Sequence, residues 1–447
     1  MTPLSLFWHR RDLRTQDNRG LSAALSSGHS VLGFFCFDKT ILNPLPKRDA
    51  RVGFIHSELS GLSEEYAEAG GQLLVRYGSP LEALQTLHHD LQSVGFELRE
   101  IHTNRDYAPY PVQRDGAVEE WCRSVGIGFS LWNDHVVLPP EAVLKDDGTP
   151  YTVFTPYSKK WHKVLGASVE NPLSESVVEL KGHCIAPLVN VAMPTLESMG
   201  FESQSAHPEG WSAFESRQPN PGVLRNYAES RDTPSIIGTA RMSLHLRFGT
   251  VSVRALARLG FAHSDKWLTE LIWREFYQAI LHHFPHSAKD AFRAKYDRIP
   301  WRYDEDHFAA WCEGRTGYPM VDAGMRELNA TGFMHNRVRM VVASFLCKHL
   351  LLDWRLGERY FAEKLLDFEL ASNVGGWQWA SGSGCDAAPY FRVFNPASQL
   401  KKFDPTGAYV RQWVPEWGSP DYPSPIVEHK FARQRAIDTY KAALSET

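Results

Sequence analysis

Asn373-Val374-Gly375-Gly376-Trp377-Gln378-Trp379-Ala380-Ser381-Gly382, followed by Asp386-Ala387-Ala388-Pro389-Tyr390 and Phe394-Asn395-Pro396, is the stretch whose reading decides the fold. Two tryptophans, a Gly-Gly pair and a polar Asn crowd into a few residues. Glycine costs about 1 kcal/mol relative to alanine in a helix interior, so this composition argues against an ordinary core helix. The glycines point to a backbone that closely approaches something flat and bulky. The tryptophans point to stacking or to one-electron chemistry.

Upstream of this stretch the chain is helical in pattern. Val251–Gly260, Lys266–His283, Tyr318–Asn329, Asn336–Leu352 and Glu358–Leu370 each carry apolar residues at helical spacing, and strand signals almost vanish after Pro208. The first third reads differently. Leu4–Trp8, Ser30–Phe37, Gln72–Tyr77, Leu98–Thr103 and Gly128–Trp132 read as strands, with helices over Ala50–Ala69, Leu81–Gly95 and Val112–Gly126. That order predicts an α/β domain with a Rossmann-like parallel sheet. No GxGxxG follows the first strand, so the usual dinucleotide fingerprint is absent. Residues 138–207 have weak periodicity and many Pro, Ser and Glu, and read as an inter-domain linker with some helical turns. The expected division is therefore 1–137, 138–207 and 208–447, the last an all-α domain.

Composition bounds the rest. At 447 residues and 43% hydrophobic, the chain reads as an ordinary globular protein of two or three domains. It has no apolar run long enough to span a bilayer and no signal-peptide pattern at its start. Six scattered cysteines with no CxxC predict reduced thiols, a cytoplasmic location and no metal site. A net charge of −4 argues mildly against a nucleic-acid binder. Between Thr331 and Arg411, however, ten Lys/Arg face seven Asp/Glu, a local basic surplus.

Three segments carry candidate chemistry. Glu270, Trp273, Arg274 and Tyr277 fall at i, i+3, i+4 and i+7, which places a carboxylate, an indole, a guanidinium and a phenol on one helical face. Such a face suits a flat heteroaromatic ligand, the plainer alternative being a packing face with a buried ion pair. Asn336 and Met340 share a face at i, i+4, and methionine there ordinarily fills core. Arg339 is a candidate partner for a carboxylate in Asp367-Phe368-Glu369, and His335 reads as a structural histidine. Gly238-Thr239-Ala240-Arg241-Met242-Ser243, just after Arg231-Asp232, could hold phosphate through hydroxyls, an Arg and helix N–H groups, a weak signal by itself.

Five motifs in order carry a family resemblance: Trp8-His9-Arg10-Arg11-Asp12-Leu13-Arg14; Trp273-Arg274-Glu275-Phe276-Tyr277; Gly317-Tyr318-Pro319 with Val321-Asp322-Ala323; Met334–Met340; and Gly375-Gly376-Trp377-Gln378-Trp379. Over essentially the whole chain it resembles the photolyase/cryptochrome family. The resemblance implies an N-terminal antenna-chromophore domain and a C-terminal helical catalytic domain holding FAD. It implies light-driven repair of cyclobutane pyrimidine dimers in DNA, by electron transfer from excited reduced FAD to a flipped-out dimer. The alternative is a cryptochrome-type blue-light photoreceptor without repair activity. The FAD contacts it implies are Tyr227, Thr239, Ala240 (through backbone, where Ser is common), Arg241, Met242, Ser243, Arg339 paired to Asp367, Phe368, Glu369 and Asn373, the last facing flavin N5. For the lesion it implies stacking by Trp273 and Trp379, a hydrogen bond from Glu270, and a pocket completed by Asn336, Arg337 and Met340. Arg231, Lys401 and Lys402 are the implied phosphate contacts, and Trp377, Trp354 and Trp301 the tryptophan relay that photoreduces the flavin.

Within the family the chain resembles the class I cyclobutane-dimer enzymes. The (6-4) enzymes carry histidines at the positions of Asn336 and Met340, and this chain has neither. Val374 follows Asn373 where class I enzymes often have a second Asn. Asn104-Arg105-Asp106-Tyr107-Ala108-Pro109-Tyr110 lacks the Asn-Glu pair associated with folate in some members. The expectation is an antenna not held in the usual folate manner, with folate, a deazaflavin, a second flavin or an empty cleft all open. A monomer is expected.

Overall fold

Residues Thr2–His9 (β1) are buried on both faces from Leu4 onward, as the central strand of a covered parallel sheet must be. Ser30–Asp38 (β2) is buried almost throughout. With Leu73–Gly78 (β3), Phe96–Asn104 (β4) and Gly128–Trp132 (β5) these strands form a five-stranded, all-parallel sheet in the order β3-β2-β1-β4-β5. Leu6 pairs with Leu32 and Ile101, so the apolar rows of neighbouring strands align. Helices Arg19–Leu25 (α1), Lys39–Leu42 (α2), Ala50–Glu68 (α3), Pro80–Ser93 (α4) and Pro109–Val125 (α5) connect the strands. All five expected strands and three expected helices are present, within one to three residues at their ends; α1 and α2 are short and lacked a periodic signal.

This computed structural model describes residues 1–186, 192–202, 214 and 216–445. The chain forms two compact units, each discontinuous in sequence. The first comprises Met1–Ala142, Lys163–His207 and Ser243–Leu259; the second comprises Val143–His162, Pro208–Met242 and Gly260–Thr447. Three consecutive segments divided at 137 and 207 had been expected. The difference at 143–162 has a physical cause. Phe154, Tyr157 and Trp161 form an apolar stripe on Phe154–Ala167 (α6), and that stripe packs within the helical unit, where Trp161 donates to Glu275 at 2.6 Å.

In the first unit, the Trp8–Arg14 motif is an ion-pair hub at the end of β1. Arg10 pairs with Asp115, Arg11 with Asp106, and Arg14 with Asp134. Arg254, fully buried on Val253–His263 (α10), joins Asp17 and Asp134 at 2.8 Å each. Beside it, Ser243–Phe248 (α9) covers Phe54, whose ring lies 5.4 Å from Phe248.

The second unit is helical: Pro221–Arg225 (α7), Tyr227–Ser230 (α8), Asp265–His283 (α11), Glu305–Cys312 (α12), Pro319–Thr331 (α13), Asn336–Ser344 (α14), Trp354–Lys364 (α15), Leu370–Ser381 (α16), Pro396–Phe403 (α17), Ala408–Trp413 (α18) and His429–Ser445 (α19). Its core is built from α13, α14, α15 and α16 around Met325, Val338, Val342, Phe361 and Trp377. Three expectations change here. The Gly-Gly-Trp-Gln-Trp stretch is an α-helix after all, because Gly375 is where the Tyr277 ring of α11 packs. A Cβ at Gly375 would lie 2.3 Å from Tyr277 Cδ1. The helix expected over Asn336–Leu352 loses α-geometry at Phe345 and continues as a π-helical turn to Leu350, ended by Leu351 at φ +55°. The helix expected over Glu358–Leu370 is the second half of α15, which ends at Lys364; Leu365–Glu369 lies outside both helices, and α16 opens at Leu370. Among the described residues no helix is long and apolar enough to cross a membrane, and no cluster of three or more His, Cys, Asp or Glu could hold a metal ion.

Candidate functional site

Along α11 the residues Leu271, Ile272, Glu275, Phe276 and Ala279 are buried, while Glu270, Trp273, Arg274 and Tyr277 stay half-buried. Of the mixed face read at helical spacing, Glu270 and Trp273 stay partly accessible, while the Tyr277 ring packs on Gly375 and the Arg274 side chain is nearly buried. Trp273 is not free on both sides: its indole stacks on Phe154 at 3.7 Å and an interplanar angle of 6°. Glu270 accepts a hydrogen bond from Arg231, whose guanidinium lies 5.6 Å from the Tyr227 ring centroid. Arg274 donates to Glu369 at 2.9 Å, tying α11 to the start of α16.

At the start of α14, Asn336 is exposed, and Arg337 and Met340 are half-buried. Met340 is thus not core filler; its sulfur accepts from Arg337 at 3.5 Å. Arg337 also donates to Asp232 at 2.8 Å and lies 4.3 Å over the Phe403 ring. Burial alone would raise the Asp232 carboxyl, but Arg337 and Arg231 together outweigh it and hold that carboxyl below its usual range. His335 caps α14 by accepting the Arg337 N–H on Nδ1, while its Nε2 is buried without a hydrogen-bond partner. Burial lowers its pKa to about 4, so the ring is neutral at pH 7. Trp379 is half-buried beside Phe394, and Lys401 and Lys402 are exposed in the last turn of α17.

A second group of candidates gathers at the N-terminus of α16. Arg339 donates to both Asp367 oxygens at 3.0 and 3.2 Å, the expected pair. Glu369, buried, is held by Arg274 and by Ser372 Oγ at 3.2 Å; Phe368 beside it is half-buried. Asn373 donates from Nδ2 to the Glu358 carbonyl at 3.1 Å and to Glu358 Oε1 at 2.9 Å. Burial pushes the Glu358 carboxyl up. Tyr227 and Met242 are buried, Thr239 and Ala240 half-buried. Arg241 sits at φ +50°, a left-handed conformation that a non-glycine residue rarely adopts. Its guanidinium lies 4.8 Å from the Phe333 centroid, and its Nε is buried without a partner. Ser243 opens α9 and falls in the other compact unit.

Trp377 and Trp354 are both buried in one apolar cluster, with Trp301 packed against it. Trp377 meets Phe361 edge-on at 5.0 Å. Arg302 donates its N–H to the Leu351 carbonyl at 2.8 Å, which brings the Trp301 segment beside the residues preceding Trp354.

Several partners were not singled out from sequence. Phe154 was hidden in the Pro/Ser/Glu-rich segment, although the Phe154/Tyr157/Trp161 spacing was readable. Asp232 and Glu358 act through long-range pairings that no local pattern encodes.

Comparison with known proteins gives the family. Residues 5–175 match the family model described as DNA photolyase, and residues 267–420 match the FAD binding domain of DNA photolyase. A deoxyribodipyrimidine photo-lyase from a Synechococcus strain is 38% identical over 99% of this chain and 98% of its own length. The chain belongs to the DNA photolyase family. The Escherichia coli deoxyribodipyrimidine photo-lyase is likewise 38% identical, over 98% of each chain. The crystal structure of a bacterial class III photolyase from Agrobacterium tumefaciens aligns with a TM-score of 0.87 at 32% identity, covering 99% of this chain and 98% of that one. An archaeal photolyase from Sulfolobus tokodaii with two FAD molecules aligns with a TM-score of 0.81 at 32% identity, over 98% of this chain and 100% of that one. A Synechocystis cryptochrome aligns at 0.84 with 26% identity, over 98% and 99% of the two chains. The two-domain photolyase fold and an FAD-binding helical domain follow.

Proposed function

We propose that this chain is a deoxyribodipyrimidine photo-lyase of the class I type, which repairs cyclobutane pyrimidine dimers in DNA under light. The observation that carries the reading is the partly accessible pair Glu270 and Trp273 on α11, linked through Arg231 and Asp232 to Arg337 at the start of α14, beside Asn336 and Met340. Aromatic planes, a carboxylate and an amide on one face suit a flipped pyrimidine dimer, since an intact duplex hides the ring from any enzyme.

The residues present fit FAD. Arg241 offers a buried, unpartnered Nε for a phosphate oxygen, and its positive φ is the kind of strain that a binding loop keeps. Gly376 is exposed on the Asn373 side of α16, and a Cβ there would meet nothing within 4 Å, so that face is open to a planar group. Within the helical unit, Tyr227, Thr239, Ala240 (through its backbone), Met242, Arg339 with Asp367, Phe368 and Glu369 complete the proposed cofactor contacts. Bound FAD supplies light-driven one-electron chemistry.

The chain's own residues bind and orient. Asn373, with its N–H groups committed to Glu358, has Oδ1 left as an acceptor that would serve the flavin N5. Trp273, backed on one face by Phe154, offers the other face to the dimer; Trp379 stacks from the α16 side. Glu270 exchanges its Arg231 partner for the pyrimidine edge and steadies the charged dimer. Arg231, Lys401 and Lys402 then neutralise the flanking phosphates. Trp377, Trp354 and Trp301 would form the electron relay to the bound cofactor.

In the first unit, we place the antenna chromophore (folate, deazaflavin or flavin) in the crevice outside the carboxyl ends of β1 and β4, where an open parallel sheet reverses its strand order. The Asn104 amide is already committed there to Asp12 and Asn18, at 2.5 and 2.9 Å, which supports a mode other than the usual folate one. The similarity to a cryptochrome makes a photoreceptor the second reading. Glu270→Ala separates the two: the repair reading expects a lower quantum yield of dimer repair with FAD content unchanged, and undiminished repair would remove Glu270 from the mechanism.

A further inference from the structure

Between Arg231 and Thr239 the chain makes a tight loop that none of the proposed cofactor or lesion contacts uses. It is internally braced. The Thr233 N–H donates to the Ser230 carbonyl at 3.1 Å, the Ile236 N–H to the Thr233 carbonyl at 3.4 Å, and the Gly238 N–H to the Ile236 carbonyl at 2.9 Å. Ser230 Oγ clasps the two ends by donating to the Gly238 carbonyl at 3.1 Å. Gly238 is buried in that clasp, where a Cβ would fall 2.4 Å from the Ser230 carbonyl oxygen. Pro234 removes one further freedom. On this stiff support stand two adjacent isoleucines, Ile236 at 50% and Ile237 at 75% exposure.

The surroundings of the tip say what it meets. Its first root, Arg231-Asp232, pairs with Glu270 and Arg337, both among the proposed lesion contacts. From Asp232 a continuous path runs through Arg337 to the Phe403 ring, over which the Lys402 ammonium lies at 5.0 Å. The apolar tip therefore rises from an ion-pair network, Arg231 and Arg337 with Glu270 and Asp232, whose Arg337 shares the Phe403 ring with Lys402. Two isoleucines are far too small a patch for a stable protein–protein interface, which buries about 1,000 Å² or more. They match the size of a single base step, and a rigid aliphatic wedge beside basic side chains is the means by which DNA-bending proteins part stacked bases.

We propose that Ile236 and Ile237 form a wedge that enters the base stack of duplex DNA where the dimer has been flipped out, holding the gap open while the lesion occupies the site. The proposal rests on the repair reading. It predicts a particular selectivity: a single strand carrying the same dimer has no opposing stack to keep apart, so the wedge contributes there little or nothing.

The test compares the FAD-loaded wild-type protein with the Ile236→Ser/Ile237→Ser variant in the dark, on a duplex and on a single strand each carrying one thymine dimer. Both side chains are exposed, so the variant should keep wild-type flavin absorbance and stoichiometry. The expected result is at least about tenfold weaker duplex binding, the least expected when even one buried aliphatic side chain is withdrawn, with single-strand binding unchanged. An Ile236→Leu/Ile237→Leu variant should restore duplex affinity. Equal losses on both substrates, or no loss on the duplex, would overturn the wedge while leaving the repair reading standing. Wild-type protein with no preference for damaged over undamaged DNA would overturn the repair reading and the wedge with it.

Discussion

The paired glycines of α16 offer a test in which neighbouring substitutions have opposite consequences. Gly376 is exposed in this structure, and a Cβ added there meets no atom within 4 Å. Gly376→Ala should therefore stabilise the apoprotein by about 0.5–1 kcal/mol, the helix-propensity difference between the two residues. If that face lies against the flavin, the same methyl group intrudes on the bound cofactor. An overpacking cost of about 1–3 kcal/mol then weakens FAD binding by roughly 5- to 150-fold. Gly375→Ala should do the reverse. Its Cβ would lie 2.3 and 2.4 Å from Tyr277 Cδ1 and Cε1, so the α11–α16 contact must open. The apoprotein should lose about 1–3 kcal/mol with no cofactor present. The assays are urea unfolding of the apoproteins and FAD titration followed by flavin fluorescence. Gly376→Ala protein that binds FAD as tightly as wild type would refute the close approach of α16 to the flavin. Gly375→Ala protein as stable as wild type would refute the Tyr277 packing.

Other consequences can be checked separately. Trp377→Phe should block photoreduction of oxidised flavin while leaving repair by chemically reduced enzyme intact; normal photoreduction in that variant would break the relay assignment. Lys348 is buried in the π-helical turn, donating to the Ser381 carbonyl at 2.7 Å with its ammonium 3.6 Å from the Tyr440 ring centroid. Burial lowers its pKa to about 7, against roughly 10.4 in an unfolded chain. Between those values the unfolded state binds more protons, so wild-type stability should rise with pH through that window, while Lys348→Met lacks this contribution. Urea midpoints at pH 6.5, 8 and 9.5 should show wild type gaining on the variant, and a gap independent of pH would contradict the buried, readily neutralised amine.

The fold was legible where local pattern and tertiary environment agree. The five strands announce themselves because a parallel sheet covered on both faces demands continuous apolar runs, as in Leu4–Trp8 and Val31–Phe37. The α11 site face was legible because Glu270, Trp273, Arg274 and Tyr277 break the apolar periodicity of that helix at a spacing that repeats its own turn. Tertiary packing overrode propensity at Gly375, where a helix accepts an unfavourable residue to admit the Tyr277 ring. The turn at Phe345–Leu350 was also hidden, since an apolar helical pattern reads alike in α- and π-geometry. So was the pairing of Glu270 with Arg231: a salt bridge across 39 positions leaves no trace in either segment. The stripe on α6 was readable but outweighed by the composition around it, and Phe154, which backs Trp273, went unassigned with it.

The central claim is light-driven repair of one kind of lesion. The most direct measurement uses reduced, FAD-loaded protein with an oligonucleotide carrying a single thymine cyclobutane dimer and, in parallel, one carrying a (6-4) lesion, each in blue light and in the dark. The account predicts loss of the cyclobutane dimer in the light alone, with the (6-4) lesion untouched, as Asn336 and Met340 imply. Repair of neither lesion by protein with FAD bound and photoreducible would contradict it and place the chain among the photoreceptors.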